Sequence, residues 1–206
     1  MKYIVLIAGI SDSRASESLN ENLAAACMKL NQRRIALGLV SPFTLTKETE
    51  VQAVFRSADE LWTSIFELET ALHPQRLRYG IGIGEIATKI NDQTVIGMEG
   101  EAFEQARACL DSLQSDGKQY RVGGLQDRDK LVRHSLDLVS HLRSGWRKNR
   151  IGTFLGLLKA SGAAETASYL SISEQAVYRN IRDGDLNSIA GLLREVSSLV
   201  NEHRNG

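Results

Sequence analysis

The stretch RLRYGIGIGEI, Arg76 to Ile86, decides how the chain is read. Leu77, Tyr79, Ile81 and Ile83 alternate with Arg78, Gly80, Gly82 and Gly84. A period of two marks a β-strand, because successive side chains leave opposite faces of a sheet. One face of this strand is apolar and the other is nearly bare. Bare glycines allow a ligand or a backbone to approach a sheet closely. Tight packing of a helix on Gly82 and Gly84 is the second use of the same pattern.

Upstream, the β-branched run Lys2 to Ile10 reads as a buried strand. Ser16 or Ser18 can cap a helix reaching about Leu37, with Leu19, Leu23, Cys27 and Leu30 as its apolar stripe and Gly38 as its stop. Phe43–Thr46 and Glu50–Phe55 form a hairpin around Lys47-Glu48-Thr49. Ala58 to Leu72 is a second helix, closed by Pro74. Downstream, a helix from about Gly100 to Leu113 precedes a last strand, Gln119 to Val122. The order is strand, helix, strand, strand, helix, strand, helix, strand. It contains the split β-α-β-β-α-β arrangement of ferredoxin-like folds. Such a sheet is expected to carry helices on one face and leave the other open to a ligand.

After Gly123-Gly124 the pattern is helical throughout: Arg128–Leu142, Trp146–Lys159 and the strongly amphipathic Leu186–His203. The fold class expected is α+β, a sheet domain over residues 1–126, a linking helix over 127–145 and an all-helical domain over 146–206. The 206 residues suffice to bury a core. The eight-residue apolar run Tyr3–Ile10 is too short to cross a bilayer, and Ser11-Asp12-Ser13-Arg14 follows it instead of a cleavage site. Two cysteines, Cys27 and Cys109, cannot build a disulfide framework and sit in helical patterns, so a cytoplasmic protein with buried thiols is expected.

Charge is balanced overall, with 25 basic and 25 acidic residues, which excludes a protein that is basic throughout. It is uneven along the chain. From Arg143 to Arg182 seven basic residues stand against two acidic ones. A local basic excess points to a polyanion-binding module. The segment Ala163–Gly184 gives that module a shape. Ala167 is small enough for a close helix crossing, Leu170 and Ile172 flank a turn, and Ser173 caps the next helix. Val177 and Ile181 face inward, which leaves Gln175, Tyr178, Arg179 and Arg182 outside. Arginine pairs with guanine edges, glutamine with adenine, and either holds phosphate. With Ser173, Lys148 and Arg150, these residues form the expected DNA-binding set of a helix-turn-helix. The turn of such a motif usually carries glycine at positive φ; here Ser171 stands there. A three-helix bundle used for protein contact would show the same packing.

The glycine strand resembles that of class III nucleotide cyclases. A wider match joins Ser13-Arg14, Thr46-x-x-x-Glu50-x-Gln52, RYGIGIGEIAT, IGMEGEAFEQAR (Ile96–Arg107) and the C-terminal helix-turn-helix, and it resembles the SatD family. The resemblance implies a cyclase-like sheet domain fused to a DNA-binding one. It also implies two metal-binding aspartates, and at those places this chain has Gly9 and Thr49. Neither offers the anionic oxygen that Mg²⁺ needs; Asp12, Glu48 and Glu50 are the nearby carboxylates that could substitute. The family's Gly-x-Asp-Gly-Pro-Ala stands here as Gly97-Met98-Glu99-Gly100-Glu101-Ala102, and the cyclase asparagine falls near Phe103. Arg107 is placed to hold an anionic ligand or to pair with Glu104 or Asp111 on its own helix.

No other chemistry is legible. His73, His134, His141 and His203 are scattered, and neither C-x-x-C nor a phosphate-binding loop occurs. The expected function is therefore a DNA-binding regulator, homodimeric, without metal or cofactor and without a catalytic set. Its sheet domain is expected to sense a nucleotide or other small ligand through Ser13, Arg14, Glu50, Gln52, Arg78, Gly82 and Gly84, or to dimerise. The competing readings are a phosphotransferase or cyclase with displaced carboxylates, and a protein-interaction module.

Overall fold

The computed structural model describes residues 1–10, 17–47, 49–114 and 117–205. The first half runs β1 (Lys2–Ile10), α1 (Glu17–Gln32), β2 (Leu39–Lys47), β3 (Glu50–Phe55), α2 (Leu61–Leu72), β4 (Leu77–Glu85), α3 (Glu101–Ser112) and β5 (Tyr120–Gly123). This is the order read from the sequence. The sheet is arranged β2-β3-β1-β4-β5. Neighbours are antiparallel except β4 and β5, which are parallel. β3 is thus inserted between β1 and β2, and β1 between β3 and β4, giving two interlocked split β-α-β units. The helix between β4 and β5 is the crossover that a parallel pair requires.

Alternation along β1 builds two cores. Ile4, Leu6 and Ala8 meet Leu23 and Cys27 of α1 and Ile65 and Phe66 of α2. Val5 and Ile7 meet Ala102, Ala106 and Leu110 of α3, with Val95 and Met98 from the preceding loop. The second face, expected to stay open, is therefore covered. The glycines explain how. A Cβ on Gly80 would lie 2.1 Å from the carbonyl oxygen of Ala106, and one on Gly82 2.1 Å from that of Ala102. The bare face of β4 seats the α3 backbone directly. Helix α1 spans its whole apolar stripe but stops before the end expected at about Leu37. Arg33 and Arg34 donate to carbonyls three residues back, a tightening common at helix ends, and the turn closes at Gly38 with φ +64°. Burial pushes the Cys27 and Cys109 thiols up to about 12, so both are buried and unreactive at neutral pH.

The second half is α4 (Asp129–Arg143), α5 (Lys148–Leu158), α6 (Ala163–Leu170), α7 (Glu174–Asp183) and α8 (Leu186–Asn205). The sequence suggests a division at 127–145, yet the buried residues on both sides of it form one continuous core. The Phe66 ring of α2 meets Phe154 of α5 edge-on at 4.6 Å. Ser197 of α8 donates to the Ala58 carbonyl at 3.0 Å, and the Ala58 amide donates to Asn201 Oδ1 at 2.7 Å. One buried polar cluster also crosses the boundary. The Glu69 carboxylate accepts from Tyr120 Oη at 2.5 Å and from Arg143 Nε at 2.6 Å. Tyr79 stacks on Tyr120 with ring centroids 5.7 Å apart.

Helices α5 and α6 cross closely because α5 offers Gly152 and Gly156 to Leu170 and Thr166 of α6. Ser171 then turns the chain with φ 54° and ψ 45°, the left-handed conformation expected of it. That conformation costs a residue with a side chain roughly 1–2 kcal/mol, of which glycine's greater freedom in the unfolded chain takes back about half. Ser171→Gly should therefore raise unfolding free energy by about 0.5–1 kcal/mol, read as a higher urea midpoint at unchanged slope. An unchanged or lower midpoint would show that the Ser171 hydroxyl contributes more than its backbone costs.

Candidate functional site

Two places hold the residues singled out by sequence. The first lies where β1, β3 and α3 meet. Gly9 stands opposite Glu50 in one direction and Arg78 in the other, and Ile7 stands opposite Gln52. Glu50 and Gln52, two residues apart on one strand, share a face. The Glu50 carboxylate accepts from Thr46 Oγ1 at 3.1 Å and from Gln52 Nε2 at 3.0 Å. Arg107 reaches down from α3 and closes the cluster as a fork, with Nη1 to Oε2 and Nη2 to Oε1 both at 2.6 Å. Glu50 is buried, and its hydrogen bonds hold the Arg107 guanidinium above its ordinary pKa, against the opposing effect of burial. Two parallel charge-assisted bonds are among the strongest contacts a carboxylate can make.

Arg107 therefore pairs across the fold, not with Glu104 or Asp111 of its own helix. The motif Thr46-x-x-x-Glu50-x-Gln52 is a single hydrogen-bonded unit. Gly82 and Gly84, expected beside a ligand, lie under α3, where an added Cβ would strike backbone or the Glu101 side chain; the helix takes the space a ligand would need. Arg78 faces the same side of the sheet beside Gly9, and its Nε is buried without a partner. Ser13, Arg14, Asp12 and Glu48 lie outside the described residues.

The second place is the outer side of α7. Ser173 Oγ accepts from the Ala176 amide at 3.2 Å and caps the helix. Val177 is buried beneath it, while Gln175, Tyr178, Arg179 and Arg182 are exposed as the spacing predicts. Arg182 bonds Asp183 beside it at 3.0 Å, an exposed pair of little energetic weight. Next to α7 lies a groove of about 510 Å³ lined by Arg147, Lys148, Asn149, Arg150 and Asn180, with no carboxylate among its described lining residues. Lys148 is open to solvent. The Arg150 stem is held under the end of α7 beside Gly184, and its Nε is buried without a partner.

These features define an α+β protein with a helix-covered, mixed five-stranded sheet and a basic, polar outer helix. The profile described as the SatD family matches residues 3–182, and the chain belongs to that family. No curated protein sequence matches it. Among solved structures it is similar to two described as a bacterial light-regulated adenylyl cyclase. Each is 14% identical over 59% of this chain at a TM-score of 0.43, and the match covers 74% of one chain and 42% of the other.

The described residues at the expected metal positions do not suit paired Mg²⁺ ions. Gly9 carries no ligand, Thr49 is neutral, and both oxygens of Glu50 are taken by a guanidinium. Among the described residues no group of three or more His, Cys, Asp or Glu side chains could hold a metal ion. None of the described helices is long and apolar enough to cross a membrane.

Proposed function

We propose that this protein is a DNA-binding transcriptional regulator whose sheet has no catalytic role. The observation that carries the reading is the outer face of α7. It presents an amide, a phenol and two guanidinium groups beside a groove whose charged lining, among the described residues, is basic. Such groups read base edges and hold phosphates. The short three-residue turn before α7, the cap on Ser173 and the inward Val177 are what a helix-turn-helix needs to present that face. In the sheet, Arg107 supplies to Glu50 the positive charge that a metal would supply in an enzyme, so the cluster is an internal ion pair and not a phosphoryl-transfer centre. Residues around Glu50, Gln52 and Arg78 remain the place for a regulatory ligand. A second copy would occupy the second half-site of a palindromic operator. With two buried free thiols, the reading takes the protein to work in the reducing cytoplasm.

Titration of mixed genomic DNA tests this. Binding should weaken steeply with salt, because each neutralised phosphate releases counterions. Arg179→Ala with Arg182→Ala should lower affinity and flatten the salt dependence by about 0.9 per lost phosphate contact. ATP or GTP should show no Mg²⁺-dependent binding. DNA binding indifferent to salt and to both arginines would leave a protein-interaction module; Mg²⁺-dependent nucleotide binding would restore the enzyme reading.

A further inference from the structure

The structure holds a second basic cleft, away from α7 and shared between the two halves of the chain. It has a volume of about 550 Å³ and runs between α1 and α2 on one side and α5 and α6 on the other. Among the described residues its charged lining is Lys29 and Arg33 from the end of α1, Lys148 and Lys159 from the two ends of α5, and one acid, Glu67. Glu67 is mostly buried and already committed. Its Oε1 lies 2.6 Å from Arg33 Nη1 and 2.7 Å from Lys159 Nζ. Glu67 therefore positions two cations on opposite walls and leaves the cleft net positive. Tyr169, 71% exposed, stands on its α6 wall. An exposed aromatic hydroxyl among amines is a ready donor to a phosphate oxygen.

Position in the fold indicates the occupant. Lys148 lines both this cleft and the groove beside α7. The two basic surfaces are therefore continuous, joined at the start of α5. Lys148 and Lys159 are separated by about 16 Å along the helix axis, enough to follow several phosphates of one strand.

We propose that this cleft is a second phosphate-binding surface, which grips the backbone of the same DNA duplex whose groove α7 enters. The proposal rests on the DNA reading above and extends it. The sheet half of the chain, through Lys29 and Arg33, becomes part of the nucleic-acid interface. Its contacts carry no base information, so they add affinity without changing sequence preference. An acidic protein segment would satisfy the same charges, but nothing would then join its site to α7.

The test uses the full chain and a mixed-sequence duplex of about 30 bp, long enough for roughly three helical turns. Lys29→Ala with Lys159→Ala removes two cations and leaves Glu67 paired with Arg33; circular dichroism checks that the fold is kept. The expected result is weaker binding to all sequences alike and a salt slope lower by about 1.8, two phosphate contacts. Tyr169→Phe should weaken binding further without altering that slope. If Arg179→Ala with Arg182→Ala weakens binding while Lys29→Ala with Lys159→Ala does not, the cleft is not a DNA surface and the α7 reading stands. A wild-type chain that binds polyglutamate but no duplex overturns both and assigns the cleft to an acidic protein partner.

Discussion

Gly82→Ala should abolish cooperative folding, or lower the urea midpoint more than any other single-methyl change in the sheet. The added Cβ would sit 2.1 Å from the Ala102 carbonyl oxygen and 2.3 Å from the Ala106 amide nitrogen. Both are helix backbone, so no rotamer change can relieve the contact. Helix α3 would have to retreat by about 1 Å or more to reach ordinary contact distance. That retreat unpacks Ala102, Ala106 and Leu110 from Val5 and Ile7 and pulls Arg107 off Glu50. Ordinary overpacking costs about 1–3 kcal/mol; here a whole helix is displaced, and the loss approaches the roughly 5–15 kcal/mol that holds a domain folded. Gly9→Ala is the control. Its Cβ would meet Leu110 Cδ2 at 3.5 Å, an ordinary contact, so it should be neutral or stabilising by about 0.4–1 kcal/mol. Equal midpoints for Gly82→Ala and wild type would mean that α3 does not rest on β4.

Arg143→Met should destabilise the fold by about 3–5 kcal/mol at pH 8, the usual cost of leaving a buried charge without its partner. The Arg143 and Glu69 side chains are 3% and 1% exposed. Burial already pushes the Glu69 carboxyl above its ordinary pKa, opposed first by the Arg143 charge and then by hydrogen bonds from Tyr120 and Arg143. Removing Arg143 leaves burial with less opposition and raises the carboxyl further. A raised folded-state pKa means that the folded chain binds the proton more tightly than the unfolded chain. Stability is then fully present below the unfolded value and is lost as pH rises through the folded one. The gap between variant and wild type should therefore narrow from pH 8 to pH 5 in urea titrations. Adding Glu69→Gln should recover most of the loss, since an amide oxygen still accepts from Tyr120 and carries no charge. A gap that is constant with pH would show that lost packing, not the stranded carboxylate, sets the cost.

Both predictions concern contacts between residues distant in the chain, and that is where reading from sequence stopped. The alternation from Leu77 to Gly84 shows a strand with one bare face, and both uses of such a face were visible. Only the placement of α3 decides between them, because nothing in the spacing of Gly80 and Gly82 says which helix lies across them. Arg107 illustrates the same limit. Within its helix, Glu104 and Asp111 are the partners that spacing offers; the fold brings Glu50 instead, from 57 residues away. Thr46, Glu50 and Gln52 could be picked out together because a hairpin keeps near neighbours near. The cleft between α1 and α5 was half legible: Lys148 and Lys159 belong to the basic excess of the tail, but Lys29 and Arg33 come from a distant segment whose charges look like solvated surface.

Periodicity and capping are local properties, set by a residue and its neighbours within a turn or two. They were enough to establish the element order, the apolar faces, the left-handed Ser171 and the outward row on α7. The tertiary structure alone decided that α3 closes the second face of the sheet, that a guanidinium sits on Glu50, and that the tail helices join the core of the sheet. Those outcomes depend on which surfaces exclude water together, and burial acts between any two parts of a chain that can meet, whatever their separation along it.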